Sequence, residues 1–263
     1  MPTSWLSPSL TSPAKARHNL NARSIPSNLY VVLTTAAISS MFTLLGVRVY
    51  ARYVRRIPSS EWVNPRILAE KRWIRGKVTS VGDADNFRLF HTPVLTRGRW
   101  RKVPQTAQEL KDQTIHIRLA GVDAPELAHF GRPAQPYGQE ALAWLKSMIE
   151  GKTVYCQLFR RDQYGRVVAT CVVPRWYLPL WLRSGKCVEL EMLRAGLATT
   201  YTQAGAEYGK WGVDEFQKVE EAAKKAKRGM WSKMSTYESP ADYKRRYKKE
   251  ETDEMSKAME PEQ

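Results

Sequence analysis

Residues Thr114–Glu126 read TIHIRLAGVDAPE. Ile115, Ile117 and Leu119 alternate with His116 and Arg118, which is the two-residue period of a strand with one face toward a core. Gly121 interrupts the run, and Asp123 and Glu126 follow as Asp-x-x-Glu. An arginine near a strand's end with two acids just beyond it brings a guanidinium and two carboxylates to one edge of a sheet. Singly, each has an ordinary reading: Arg118 as a strand-end ion-pair partner, Glu126 as an acid at a helix start. The combination is rarer than its parts.

Working outward, WIRGKVTSV from Trp73 and NFRLFHT from Asn86 alternate in the same way, separated by a Gly-Asp break at Gly82 and Asp83. Downstream, PYGQEALAWLKSMIEG (136–151) spaces Ala141, Leu142, Leu145, Met148 and Ile149 for one helix face and stops at a glycine. KTVYCQLFRRDQYGRVVATCVV (152–173) predicts two strands joined by a turn around Asp162–Gly165. Two helices follow, a short one ending at Gly196 and a longer Ala/Glu/Lys-rich one closed by Gly229. This order predicts an α+β domain, and five strands fit a small OB-like barrel with helices around it. Two stretches interrupt the plan. Residues 92–112 are basic and turn-rich, and 174–186 are apolar and aromatic, suited to local packing or to a partner or membrane.

The chain has 263 residues and a net charge of +16, unevenly spread. Residues 1–60 carry seven cations and no acid, residues 61–232 carry a net +10, and the last 31 residues nearly cancel. A folded middle of that charge favours a polyanionic partner, nucleic acid or anionic lipid. The expected organisation is a disordered basic leader (1–26), an apolar span (27–47), a Pro-containing linker (48–72), the folded domain (73–232) and a charged tail (233–263). Residues 27–47 hold 21 uncharged residues, enough at about 1.5 Å each for a bilayer core of roughly 30 Å. Tyr30 and Tyr50 sit near its ends, where interfacial aromatics are favoured. The expectation is a single transmembrane helix; a buried core helix or an uncleaved signal region has the same pattern. The leader's composition is that of organelle-targeting segments.

Three cysteines without a C-x-x-C pair and four scattered histidines give neither a disulfide framework nor a transition-metal ligand pattern. A catalytic metal would therefore be a hard cation held by carboxylates. Three clusters carry the chemistry: Gly82–Asn86, with two closely spaced acids; Arg118–Glu126; and Asp162–Arg166. The first, on its own, reads equally as a capped turn.

RLAGVDAPE, the preceding Asp-x-Asp, the later Tyr-Gly-Arg and the final helix before GMW together resemble the thermonuclease (staphylococcal nuclease-like) family, over about Trp73–Ser232. The apolar segment is similar to that of the membrane-anchored fungal mitochondrial endonucleases of the long-chronological-lifespan type. The resemblance implies an OB-like five-stranded barrel and Ca²⁺-dependent hydrolysis of phosphodiester bonds in single-stranded DNA or RNA, with the chain anchored in a mitochondrial membrane. It makes Asp85 and Asp123 metal ligands, helped by the carbonyl of Ala124, with Asp83 nearby through water. Arg118, Glu126 and Arg166 become the catalytic set, and Tyr164 and Tyr201 contact substrate. The sequence departs from the family at Ala84 and Asn86, where Gly and Thr are usual, and at Gln163, where the founding nuclease has Lys. A catalytically weak nucleic-acid- or protein-binding module of the same fold is the competing reading. Such degenerate domains lose the Arg, Asp and Glu positions, all of which are present here. A lipid-surface scaffold using the basic face is a third.

Overall fold

A computed structural model of the chain describes residues 27–93, 95, 102–128, 133–174, 185–236, 238–240, 242–243, 245–247 and 249. Two compact units divide between Arg48 and Val49. Helix α1 (Ser27–Tyr53) contains the predicted span but runs on through Arg48 and Arg52. Asn28–Tyr53, with a mean hydropathy of 1.7, is long and apolar enough to cross a membrane by length and composition.

The second unit is built on a closed barrel. Strands β1 (Trp73–Asp83), β2 (Asn86–His91) and β3 (Ile115–Leu119) form an antiparallel meander. After β4 (Val122–Asp123) and a helix over Gly138–Ile149, β5 (Thr153–Arg161) pairs with β1, and β6 (Val167–Pro174) pairs with β5. Parallel pairing of β3 with β6, from Ile117 opposite Val167 to Leu119 opposite Ala169, closes five strands into a ring. Register irregularities in β1 at Val78–Ser80 and Val81–Asp83, and in β5 at Leu158–Arg160, supply the extra bend that closure needs. β7 (Gly185–Cys187) extends β6, and β8 (Thr199–Thr200) pairs with β4.

Alternation decides what fills the barrel. Phe87, Leu89, Ile115, Ile117, Leu119 and Leu158 are fully buried. Around them lie three helices: α4 (Gly138–Ile149), α5 (Val188–Ala195) and α6 (Gly212–Lys225). Ala141, Leu145 and Ile149 recur every four residues along α4 and are wholly buried, while Leu142 and Met148 pack at the margin. Met192, Leu193 and Phe216 complete the same core. Gly196 ends α5 in the left-handed conformation, as the glycine stop predicted.

Two expectations are corrected. Residues 48–72 are not a linker: they begin within α1 and go on to form a 3-10 turn (Ser60–Trp62) and helix α2 (Pro65–Ala69), and Ile57 and Val63 are buried in the main core. The cause is a gap in the barrel wall. β3 has no β6 partner at His116, whose amide donates instead to Ser60 Oγ at 2.9 Å. Arg161 secures the same segment by donating to the carbonyls of Ser60 (2.7 Å) and Val63 (3.0 Å). Nor does the charged tail stand wholly apart from the folded domain, because Tyr243 is buried against it. Of the two interrupting stretches, 94, 96–101 and 175–184 lie outside the described residues; helix α3 (Ala107–Leu110) lies within the first.

Candidate active site

Strand period places the site. With Ile115, Ile117 and Leu119 inward, His116 and Arg118 face out of the barrel and are half-buried. The β2–β3 register sets Asn86 opposite Arg118, so the β1–β2 turn delivers Asp85 beside the guanidinium. From the other side, Gly121 takes a φ of 69° between β3 and β4, which returns Asp123 toward the strand it has just left. A Cβ there would lie 2.8 Å from the Tyr208 ring and 2.9 Å from the Glu207 carbonyl, so the turn tolerates only glycine.

Arg118 bridges the two acids. Its Nη1 is 3.2 Å from Asp85 Oδ2 and its Nη2 is 3.3 Å from Asp123 Oδ1. Burial by itself would lower the Arg118 pKa, but Asp85 and Asp123 outweigh it and hold the guanidinium above its ordinary value. Asp85 is oriented from behind: Asn86 Nδ2 donates to its Oδ1 at 3.1 Å. Asn86 Oδ1 in turn lies 3.1 Å from His116 Nε2. Burial, then Arg88 and Arg166, push His116 down to about 4. The ring is thus neutral near pH 7, and because an amide oxygen only accepts, Nε2 carries its proton. Asp83 Oδ1 accepts the amide of Ala84 at 2.8 Å within its own turn.

Arg166 is fixed by Asp162, whose Oδ2 meets Nε at 2.7 Å. Asp162 Oδ1 also accepts the amides of Tyr164 and Arg166, both at 2.9 Å. Burial would raise the Asp162 pKa; hydrogen bonds from Arg166, with help from the Tyr164 amide, more than offset that and hold it below the usual aspartate value. Tyr164 is 73% exposed. Its ring lies 5.2 Å from Arg166 Cζ, and the Tyr201 ring lies 5.8 Å from Arg118 Cζ, both within cation–π reach.

Glu126 follows Pro125 and is held by its backbone. Gln135 Oε1 accepts the Glu126 amide at 2.9 Å, and the Gln135 amide donates to the Glu126 carbonyl, also at 2.9 Å. Gly138, at the start of α4, approaches that carbonyl so closely that a Cβ would lie 2.8 Å from it.

All eight residues singled out from sequence, Asp83, Asp85, Arg118, Asp123, Glu126, Tyr164, Arg166 and Tyr201, line one cleft of about 1090 Å³. Sequence reasoning missed two of the residues that orient them, His116 and Gln135, and placed Asp162 in the third cluster without giving it a role. For Asp162 the signal was its place at the start of a tight turn, where aspartate bonds the backbone two residues on.

Comparison with known proteins shows the family. A family profile described as staphylococcal nuclease homologue matches residues 116–233. A Schizophyllum commune protein named probable endonuclease LCL3 is 55% identical over 230 residues, covering 86% of this chain and 78% of its own length. Proteins of the same name from Coccidioides posadasii and Botryotinia fuckeliana are 47% and 49% identical. Their alignments cover 84% and 77% of this chain and 72% and 77% of their own lengths. The chain belongs to the staphylococcal nuclease family.

That family is generally Ca²⁺-dependent. The donor set suits a hard cation, since Asp85 and Asp123 present buried carboxylate oxygens on either side of the Arg118 guanidinium. Among the described residues no group of three or more His, Cys, Asp or Glu gathers to hold a metal. Two carboxylates alone fall short of the six to eight oxygens calcium takes, so backbone carbonyls, water or substrate oxygens would supply the rest.

Proposed function

We propose that this staphylococcal nuclease family member is a membrane-anchored, Ca²⁺-dependent endonuclease that hydrolyses phosphodiester bonds of DNA and RNA with low sequence specificity. The observation that carries this reading is the bridging of Asp85 and Asp123 by Arg118 in a cleft shared with Arg166 and Glu126. The names of the relatives, all probable endonucleases, support the reaction class.

A phosphodiester is anionic, and a nucleophile approaching phosphorus meets that charge. Arg118 and Arg166 match phosphate oxygens with planar forks and hold them more strongly as charge builds in the transition state. Asp162, bound at Nε, fixes the direction in which Arg166 presents its guanidinium. Glu126 takes the proton of the attacking water, a contribution of about 10²–10⁴-fold. Tyr164 and Tyr201 offer ring faces on which bases stack without regard to sequence. Asp85, Asp123 and the Ala124 carbonyl would hold Ca²⁺, with Asp83 acting through water. When bound, the ion supplies charge neutralisation at the phosphate.

A net +10 over residues 61–232 supports a polyanionic substrate. The apolar α1 supports a single-pass anchor, and the acid-free basic leader supports a mitochondrial membrane as its address. The test is degradation of single-stranded DNA by the full chain in detergent, with Ca²⁺ or with chelator. Cleavage that requires Ca²⁺ is expected; intact DNA under both conditions would leave a binding module of the same fold.

A further inference from the structure

Beyond Trp231 the chain folds back onto the domain. Ser239 and Asp242 form a reciprocal cap: the Asp242 amide donates to Ser239 Oγ at 3.0 Å, and Ser239 Oγ donates to Asp242 Oδ2 at 2.7 Å. Pro240 at the first position is buried, and the backbone is helical at 242–243, 245–247 and 249. Arg246 clasps Glu238 through Nε (3.0 Å) and Nη2 (2.9 Å), which ties the start of this turn to its end. Both arginines of this segment are engaged within the tail, Arg246 with Glu238 and Arg245 with Asp242 at 3.5 Å. That pattern suits a docked structural element better than a basic arm for nucleic acid.

What the tail touches is the segment behind Glu126. Tyr243, 5% exposed, donates its hydroxyl to the Pro133 carbonyl and lines the cleft. Gln135, 4% exposed, is the joint. Its Oε1 accepts the Glu126 amide at 2.9 Å while its Nε2 donates to the Glu238 carbonyl at 3.4 Å. A second strut runs beside it, Tyr137 hydroxyl to Ser232 Oγ at 2.8 Å. One buried amide side chain thus links the backbone of Glu126 to a segment more than 100 positions away in sequence.

We propose that Glu238–Tyr247 is part of the active-site framework, and that Gln135 is a positioning residue through which this segment holds Glu126 at its working place. The inference rests on Glu126 acting in phosphodiester hydrolysis, as proposed above. Near-attack geometry is sensitive to displacements of about 1 Å. Releasing the joint therefore lowers turnover and leaves substrate binding, which uses the arginines and tyrosines, in place.

The test uses the full chain and single-stranded DNA in Ca²⁺. Gln135→Ala is expected to lower kcat by about tenfold or more with KM within about threefold. Tyr243→Phe keeps the buried ring and loses only the bond to Pro133; it should give a smaller drop of the same kind. In a Glu126→Gln background both substitutions should add less than about twofold, because the group they position no longer works. Hydrogen exchange at the Glu126 amide, which needs no turnover, should quicken in Gln135→Ala. Independent, multiplying effects in that background would overturn the proposal. So would a change confined to KM, or parent-like exchange and kcat in both single variants. An inactive parent would overturn the nuclease reading instead, and the exchange measurement would still report whether the joint holds Glu126.

Discussion

The guanidinium of Arg118 lies 3.3 Å from the carboxylate of Asp123, five residues later in the chain and brought back by the glycine turn between β3 and β4. With Asp85 on its other terminal nitrogen at 3.2 Å, Arg118 is the countercharge of two buried acids.

Replacing that fork with a point charge separates charge from geometry. Lysine at 118 keeps the charge but cannot reach both carboxylates with two fixed donors. Arg118→Lys is expected to cut turnover on single-stranded DNA by about 10²–10³-fold. It should also lose about 1–3 kcal/mol of stability as one carboxylate is left short of its partner. Steady-state kinetics and urea unfolding of the same preparation check both numbers. Parent-like turnover would remove Arg118 from the chemistry.

Asp123 and Glu126 stand three residues apart and should fail differently. Asp123→Asn replaces a charged oxygen with a neutral one and is expected to raise the Ca²⁺ concentration for half-maximal rate by about tenfold or more. Glu126→Gln should leave that concentration nearly unchanged and lower the maximal rate by about 10²-fold or more. Rate titrations against Ca²⁺ distinguish the two; identical shifts in both variants would merge the roles assigned to them.

Much of this site was legible in one strand and two turns. The alternation through Ile115, His116, Ile117, Arg118 and Leu119 shows which side chains leave the core, and Asp-x-x-Glu after a glycine marks the acids that follow. What joins Asp85 to Arg118 is the pairing of Asn86 with Arg118, a contact between distant strands that no local period encodes. β7 and β8, three and two residues long, are too short to show a period at all. Pro58 and Pro65 made residues 48–72 read as a linker, although Ile57 and Val63, with Asn64 capping the helix that starts at Pro65, were the counter-signal. The tail's signal was Ser239-Pro240 with Asp242, a capping pattern hidden among lysines and arginines.

Anchoring rests on a different part of the chain. If Asn28–Tyr53 crosses a bilayer, expressed full-length protein should sediment with membranes and resist extraction at alkaline pH. A chain lacking residues 1–48, the unit that ends before the domain begins, should appear in the soluble fraction. Complete release of the intact protein by carbonate would exclude a transmembrane helix and leave α1 as a peripheral or signal segment.

Glu189 gives a prediction remote from the cleft. It is wholly buried in the first turn of α5, accepting the Cys171 amide at 2.7 Å and the Cys187 thiol at 3.1 Å. Burial pushes its pKa up to about 8 from an ordinary 4.5, despite those hydrogen bonds. A carboxyl whose folded pKa is raised stabilises fully below its unfolded value, and that contribution is lost as pH rises through the folded one. The parent should therefore lose stability from about pH 4.5 to about 8 because of this group, whereas Glu189→Gln cannot ionise and should lack that component. The amide substitution adds an offset of either sign that does not vary with pH. The quantity to follow is therefore the difference in thermal midpoint between the two proteins across that range. A steady drift in favour of the glutamine variant as pH rises is expected. A constant difference would mean that Glu189 carries the same charge in the folded and unfolded chains.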